Sequence, residues 1–536
     1  MTLRANILLL PLLFTMQPHI ACFAQSADII FTNGKIFTSD TTKLYVQALA
    51  IKGNKILKVG TNFSIEKLAS SKTKKINLQG KTVVPGFNDA HDHLAWLIPT
   101  GQSFNTEFSV PGPSKDAVID SLSGLVQKAA PNQWILGTIG LTVFNDTTVR
   151  RRLLDSIAPN NPLALLIMWG HGIIANSKAL MEVNIADNAA DPLSGWYERE
   201  PQTNKLTGVL YEGSEFPIWQ AITVAEPFRT IKALRAHAAE QLKLGITTVQ
   251  NMSANLQGNA ARRIFKQANL LVRTRIIAMP SATSKGRDLA EWNSAPKTIT
   301  PLTYISGIKY VIDGTTLEQT ALKSKPYPNR PNWYGRLNYP VDTIRQILKE
   351  ALTSNRQLMM HIVGDSTIGI VLKLMKEIGS DEQWKNKRVR IEHGNAVVSE
   401  DAVKKVSDMG IVLVHTPQYG TGSPLQKWLA TGIPLAIGPD ATINPYLSIL
   451  TMTTQQRDPK ENLTREQAVI AYTKGSAYAE FKEKEKGTLS KGMVADLAVL
   501  SQDIFTIPAE QLPSTSSILT IIDGKIVYDK FSNKNQ

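Results

Sequence analysis

Two histidines one residue apart, His91 and His93 in the stretch 83–93 (VVPGFNDAHDH), are the first residues whose type and spacing could do chemistry. Side chains two apart on an extended backbone project to the same side, so two imidazoles can reach one cation. An isolated H-x-H pair is a weak pattern, matched by many surface and core histidines. Its weight comes from Lys309, His361, His393 and Asp440, each of which follows or closes a separate apolar run. Imidazole and carboxylate donors suit Zn²⁺ and related divalent ions, and a chain whose single cysteine is Cys22 has no thiolate site to offer elsewhere.

The elements that must position these residues are strands. The Val83 run is followed by seven more apolar runs, at 245–251, 272–280, 306–314, 357–365, 388–395, 410–418 and 434–440, with helix-like segments such as RAHAAEQLKL and STIGIVLKLMKEIG between them. Near-continuous apolar strands alternating with helices predict a parallel sheet, and eight such units predict a closed (β/α)8 TIM-like barrel. Barrel enzymes build their sites at the C-terminal ends of the strands, which is where the ligand-type residues fall. The region of about 100–240 is too long for one crossover and reads as an inserted lobe or lid.

Both ends of the mature chain alternate apolar and polar residues. Asn33-Gly34, Gly53-Asn54 and Asp523-Gly524 give hairpin signals there, so the two ends are expected to pair into one β-sandwich. The expected organisation is a signal peptide over 1–24, sandwich over 25–84, barrel with its insertion over 85–478, and the rest of the sandwich over 479–536.

The leader carries Arg4, the apolar run ILLLPLLF and small residues before Gln25, the layout of a secretory signal, and the run is too short to span a bilayer. A periplasmic or secreted protein without stable membrane insertion is expected. His19, three residues before Cys22, does not suit a lipoprotein signal. With 43% hydrophobic and 19% charged residues the rest is an ordinary globular chain. Its formal charge of +14 is spread over the whole length, and no basic module with interleaved aromatics is present, so nucleic acid is not an expected partner. Lys-rich runs such as SSKTKK and FKEKEKG read as solvated faces. A small-molecule substrate is the expected partner, with homo-oligomerisation left open.

In VVPGFNDAHDHL, HGIIANSKAL, TGVLYE, GITTVQN, IKYVIDGT, HIVGD, RIEHGN, IGPD and KGTLSKGMVADLAVLS the chain resembles the amidohydrolase superfamily. Within it, the resemblance is to the branch labelled amidohydrolase family 3, or YtcJ-like. It runs from ADIIFTNGKIFT to SILTIIDGKIVY and implies a TIM-like barrel, a terminal β-sandwich and a divalent metal centre that hydrolyses C–N or related bonds. It also implies His91 and His93 as the first-strand metal ligands, Lys309 as a bridging ligand, His361 and His393 as the fifth- and sixth-strand ligands, and Asp440 as ligand and proton carrier.

A lysine ammonium cannot ligate, but its neutral amine can add CO₂ to give an anionic carbamate, and burial lowers lysine pKa readily. Two metals are expected if Lys309 is carboxylated and one if it is not. A metal-activated water ionises near neutral pH, and Asp440 would pass its proton to the departing nitrogen. His171 in the insertion matches a histidine typical of this branch and would orient the substrate carbonyl. Asp313, on the same strand face as Lys309, is expected to support the ligands by hydrogen bonding. Glu392 and His415 read as structural or supporting residues, and His237, in a helical stretch, as ordinary. Ser366 and Pro439 depart from the branch's usual G-D-R and G-S-D and bear on specificity. The activity expected is an exported amidohydrolase acting on an amide, formamide or related C–N bond, with esterase, lactonase or carbamate hydrolysis, or a catalytically silent binding paralogue, as alternatives.

Overall fold

The computed structural model describes residues 26–94, 103–104, 112–167, 169–289, 297–440 and 442–531. The expected leader over 1–24, with Cys22, lies outside them. Eight strands form one parallel sheet in chain order: β1 Phe87–Asp92, β2 Ile246–Ser253, β3 Arg273–Ala278, β4 Thr303–Val311, β5 Leu358–His361, β6 Arg390–His393, β7 Val412–His415 and β8 Leu435–Ile437. Each pairs in parallel with the next, and the two edges meet where the Asp440 N–H donates to the His91 carbonyl at 3.2 Å. Seven of the eight apolar runs of the sequence fall on barrel strands; Val83 and Val84 of the first lie instead in Thr82–Pro85, outside the barrel, and the barrel strand starts after Gly86 at Phe87.

Strand alternation divides their side chains. Ala90, Val412, Val414 and Ala436 pack inside the barrel, whereas Ile391, Leu413, Leu435 and Ile437 pack outward against the helices. Those helices include Pro227–Lys243, Asp365–Ile378 and Pro445–Thr454. The first two fall where RAHAAEQLKL and STIGIVLKLMKEIG predict them. The seam is tight at Gly438, where an added Cβ would lie 2.4 Å from the His91 main-chain nitrogen, so only glycine lets β8 approach β1 this closely.

Both ends of the chain join outside the barrel. One sheet orders Lys55–Gly60, Ala48–Lys52, Ile29–Thr32 and Lys74–Asn77; another orders Lys525–Asp529, Ser517–Ile522, Leu497–Leu500, Thr82–Pro85, Lys35–Phe37 and Tyr45–Val46. Phe31, Leu49 and Ile56 of the first share a core with Val83, Leu497 and Ile521 of the second. Gly53-Asn54 and Asp523-Gly524 each join antiparallel neighbours, as hairpin turns do. Asn33-Gly34 does not: with Asn33 at φ +55° the chain leaves one sheet and enters the other. The FKEKEKG run is also not wholly solvated, because Lys486 is buried and bonds Glu480 at 2.7 Å and Thr248 at 2.9 Å.

Between β1 and β2 the long segment folds as a further sheet, ordered Gly195–Arg199, Leu206–Glu212, Gly172–Ala175, Leu163–Ile167, Ile135–Ile139 and Ser103–Phe104. It has apolar cores on both faces, one around Phe144 and Leu165, the other around Leu166 and Trp219. Among the described residues no helix is long and apolar enough to cross a membrane.

Gly438→Ala is expected to destabilise the protein by about 1–3 kcal/mol, because the new methyl must displace the main chain of β1. Gly369→Ala, in the open middle of the Asp365–Ile378 helix, should stabilise by roughly 0.5–1 kcal/mol. Denaturant titration of the pair checks both signs.

Candidate metal centre

The C-terminal ends of β1, β4, β5, β6 and the turn after β8 bring His91, His93, Lys309, His361, His393 and Asp440 to one cavity of about 240 Å³. Backbone irregularities aim them. A register shift in β1 between Asp89 and Asp92 places both Ala90 and His91 inside the barrel. Gly307 at φ +84° lies in a second shift, in β4, after which Ile308 and Tyr310 face outward and Lys309 faces in. His393 and Asp440 hold φ values of +74° and +65°, which few non-glycine residues adopt and which cluster at functional sites.

Each imidazole is tied back by one nitrogen. His91 Nδ1 meets Glu392 Oε2 at 2.7 Å, His93 Nδ1 the Met252 carbonyl at 3.1 Å, His361 Nε2 the Gly314 carbonyl at 3.2 Å and His393 Nδ1 the Thr416 hydroxyl at 2.8 Å. A carbonyl or carboxylate only accepts, so for three of the rings the tied nitrogen carries the proton and the other keeps a lone pair. Those other nitrogens converge. His393 Nε2 lies 2.8 Å from His361 Nδ1, His91 Nε2 lies 2.9 Å from Lys309 Nζ, and His93 Nε2 lies 3.2 Å from Asp440 Oδ1. One donor atom each from His91, His393 and Asp440 falls within 4.8 Å of the others.

Electrostatics favours the ligating forms. Burial, then the Lys309 charge, lowers His91 to about 4; burial and neighbouring cations hold His361 and His393 well below their ordinary value. Burial works to raise Asp440, yet His91, His93 and His393 hold it well below the carboxylate range. Burial lowers Lys309 to about 8, within reach of its neutral amine near neutral pH. Neutral imidazoles, an ionised carboxylate and an easily neutralised lysine around one cavity are a donor set that fits a divalent metal.

The insertion supplies the facing wall. His171 lies just before Gly172–Ala175, its ring 5.1 Å from that of His361, and Glu212 Oε2 holds its Nδ1 at 2.9 Å. Burial would lower His171, but Glu212, Glu318 and Glu215 raise it to about 9, so the ring is an imidazolium. Asp313 reaches the main-chain nitrogens of Val363 and Gly364 at 3.0 and 2.8 Å, so it fixes the turn that follows His361. Asp440 does not cap the next helix; Asn444 does. His415 points away from the cavity and packs against the Trp428 ring.

His237, expected to be ordinary, is not. It lines the cavity, with Nε2 3.4 Å from Asp92 Oδ2, while Gln241 donates to the same oxygen at 2.6 Å. Asp92, between the two histidines of β1, thus anchors their strand end to the Pro227–Lys243 helix. Glu212, Glu215, Trp169 and Tyr419 also line the cavity and carried no assigned role in the sequence reading.

Replacing the buried Thr416 by valine removes the partner of His393 Nδ1 at nearly constant volume. Metal affinity, measured by chelator competition, is expected to fall about 10–100-fold, with a stability loss of only about 1–3 kcal/mol. An unchanged affinity would mean that the hydroxyl does not orient the ring.

The sequence model of the amidohydrolase family matches residues 74–528. The Arabidopsis thaliana protein LONG AFTER FAR-RED 3 is 27% identical, with 94% of this chain and 92% of that protein covered. The N-substituted formamide deformylase of Arthrobacter pascens is 24% identical, with 94% of this chain and 99% of that protein covered. The crystal structure of an uncharacterized metal-dependent hydrolase from Pyrococcus horikoshii superposes with a TM-score of 0.68 at 20% identity, covering 90% of this chain and 99% of that one, a likeness of fold. The family match spans all eight barrel strands and every residue of the cavity: the chain belongs to the amidohydrolase family.

Proposed function

We propose that the protein is an exported metal-dependent hydrolase that cleaves an amide, formamide or related C–N bond of a small molecule. The observation that carries this reading is the convergence of four tied-back imidazoles, Lys309 and an ionised Asp440 on one cavity, faced by the His171 imidazolium. His91, His93, His361, His393 and Asp440 would hold the ion, with Zn²⁺ the natural choice for such donors. Carboxylation of Lys309 would add the bridging ligand for a second ion. A divalent ion in such a site supplies carbonyl polarisation and a water acidified to near neutral pH.

The chain's own residues do the rest. Asp440, low in pKa and touching His93, accepts a proton at its free carboxylate oxygen and returns it to the departing nitrogen. His171 donates a hydrogen bond to the substrate carbonyl oxygen, and Glu212 keeps it charged and oriented. Phe216, Met279 and Trp169 give the cavity an apolar side that excludes water from the reacting bond. The formamide end of the substrate range is supported by the Arthrobacter pascens relative, whose name records deformylation of N-substituted formamides. In this reading the two sheets built from the chain ends are the sandwich that braces the barrel, and the sheet inserted after β1 is the lobe that closes its mouth.

The metal-loaded protein is expected to hydrolyse members of an N-formyl and N-acyl amine panel. Asp440→Asn should lower kcat about 10²–10⁴-fold while elemental analysis finds the metal retained. A loaded protein inert to the amides yet active on esters or lactones would overturn the C–N assignment. Export is expected to leave a mature chain that starts at Gln25, and Edman sequencing of the extracytoplasmic form would contradict the proposal by finding Met1 or no such form.

A further inference from the structure

The cavity has two unlike halves. β1, β5, β6 and the turn after β8 bring the imidazoles and Asp440 to one of them. β2, β3 and β4 end instead in Ala254, Met279 and Val311, and Phe216, from the segment inserted between β1 and β2, packs with them. Phe216, Ala254 and Met279 are buried, Val311 is half-buried, and all four line the cavity. Behind them Met252, Ile277 and Met359 are fully buried in the same cluster. The result is one continuous apolar patch whose open side is the cavity. Apolar atoms laid against such a patch leave water together with it, which is favourable. Thioether side chains adapt to the outline of what they meet, so this wall suits a ring or a branched chain.

The charged groups around the patch are already matched. Among the described residues that line the cavity Lys309 is the one lysine or arginine, and it stands 2.9 Å from His91 within the ligand set. Outside that set, Glu212 holds His171 at 2.9 Å, Asp92 accepts from Gln241 at 2.6 Å and lies 3.4 Å from His237, and Glu215 accepts from the Trp219 indole. An ionised group carried onto the patch would lose its water and find no free counter-charge.

We propose that the patch over β2, β3 and β4 receives an uncharged apolar group of the substrate, a ring or a branched chain, with Ala254 and Met279 setting what fits. The molecule hydrolysed is then a neutral amide with a hydrophobic substituent, and amides that bear a carboxylate or an ammonium on that part are excluded. This deepens the proposed C–N hydrolysis and rests on it for the reacting bond, while the apolar subsite itself can be tested without turnover.

The test is calorimetric titration of the metal-loaded protein with acetohydroxamate and with phenylacetohydroxamate, which share a metal-binding end and differ by an apolar ring. The ring is expected to tighten binding at least about tenfold. A carboxylate or an aminomethyl group at the far end of the ring should abolish that gain. Ala254→Leu, which fills the patch, should also remove the gain and leave acetohydroxamate and the metal content unchanged. Met279→Gln, which keeps the length of the side chain and makes it polar, should weaken the ring compound severalfold, and it serves if the leucine variant does not fold. Equal binding of the two hydroxamates to the wild-type protein would overturn the proposal and leave the metal site standing. A gain that survives in both variants, or one that persists in the charged rings, would overturn it too. A gain from the ring with hydrolysis of no amide would support the subsite and remove the hydrolase reading.

Discussion

Turning four imidazoles, three of them buried, towards one cavity is possible only if each ring has somewhere to put its proton. The arrangement that answers this at His91 is a chain of charge, Arg390 to Glu392 to His91, in which all three residues are inaccessible to solvent. Arg390 grips both Glu392 oxygens at 2.8 and 3.0 Å and also donates to the Ala90 carbonyl at 2.7 Å and to Gln250. Burial would raise Glu392, but Arg390 and His91 hold it far below its ordinary value. Removing one partner of such a buried pair costs on the order of 3–5 kcal/mol, because the other charge is left stranded. The pair therefore ties β1, β2 and β6 together in the same act that fixes the His91 tautomer.

The same economy governs the backbone. Perfect alternation along β1 and β4 would turn His91 and Lys309 towards the outer helices; a register shift in each strand turns them inward. His393 follows Glu392, which faces in, and reaches the cavity through a left-handed main-chain conformation, as Asp440 does. Such conformations persist only where the surroundings over-determine them. Here the surroundings are the Thr416 bond to His393 and the Asp440 N–H bond across the seam that Gly438 permits.

These details explain what could and could not be read from the amino acids. Seven of the eight strands were legible because each is an apolar run with a turn signal behind it, and their ligand types because they end those runs; the first, Phe87–Asp92, was placed only by its histidines, since the apolar Val83-Val84 before it joins the terminal sheet. Which way a strand-end residue points was not, since a bulge leaves no mark in hydrophobic periodicity. His237 did leave one: it stands three residues after Leu234 and four before Gln241, on the buried stripe of its helix. Its target, Asp92, lies far away in sequence, so the stripe looked like ordinary core. Asn33-Gly34 misled because the same two residues suit a hairpin and a crossing between sheets, and only the pairing partners decide. Lys486 sat in a run of alternating charge that conceals one residue aimed inward at Glu480.

The wall opposite the ligand types is held to the barrel rather than resting on it. The loop after β4, the strand that carries Lys309, sends Thr320 to Glu212 and Glu318 to Trp169, and the Arg336 guanidinium lies over the Trp196 ring at 4.5 Å. Gly314 leaves no room for a Cβ between Thr320 and Glu212, so the contact is close on both sides. Moving the inserted sheet away would strand Glu318, which is buried and raised in pKa already. The distance between His171 and the histidines of the barrel is thus set by the strand that bears Lys309. A site assembled in this way is pre-formed: polar groups on the two sides are aligned before any molecule enters, and binding energy is not spent on bringing them together.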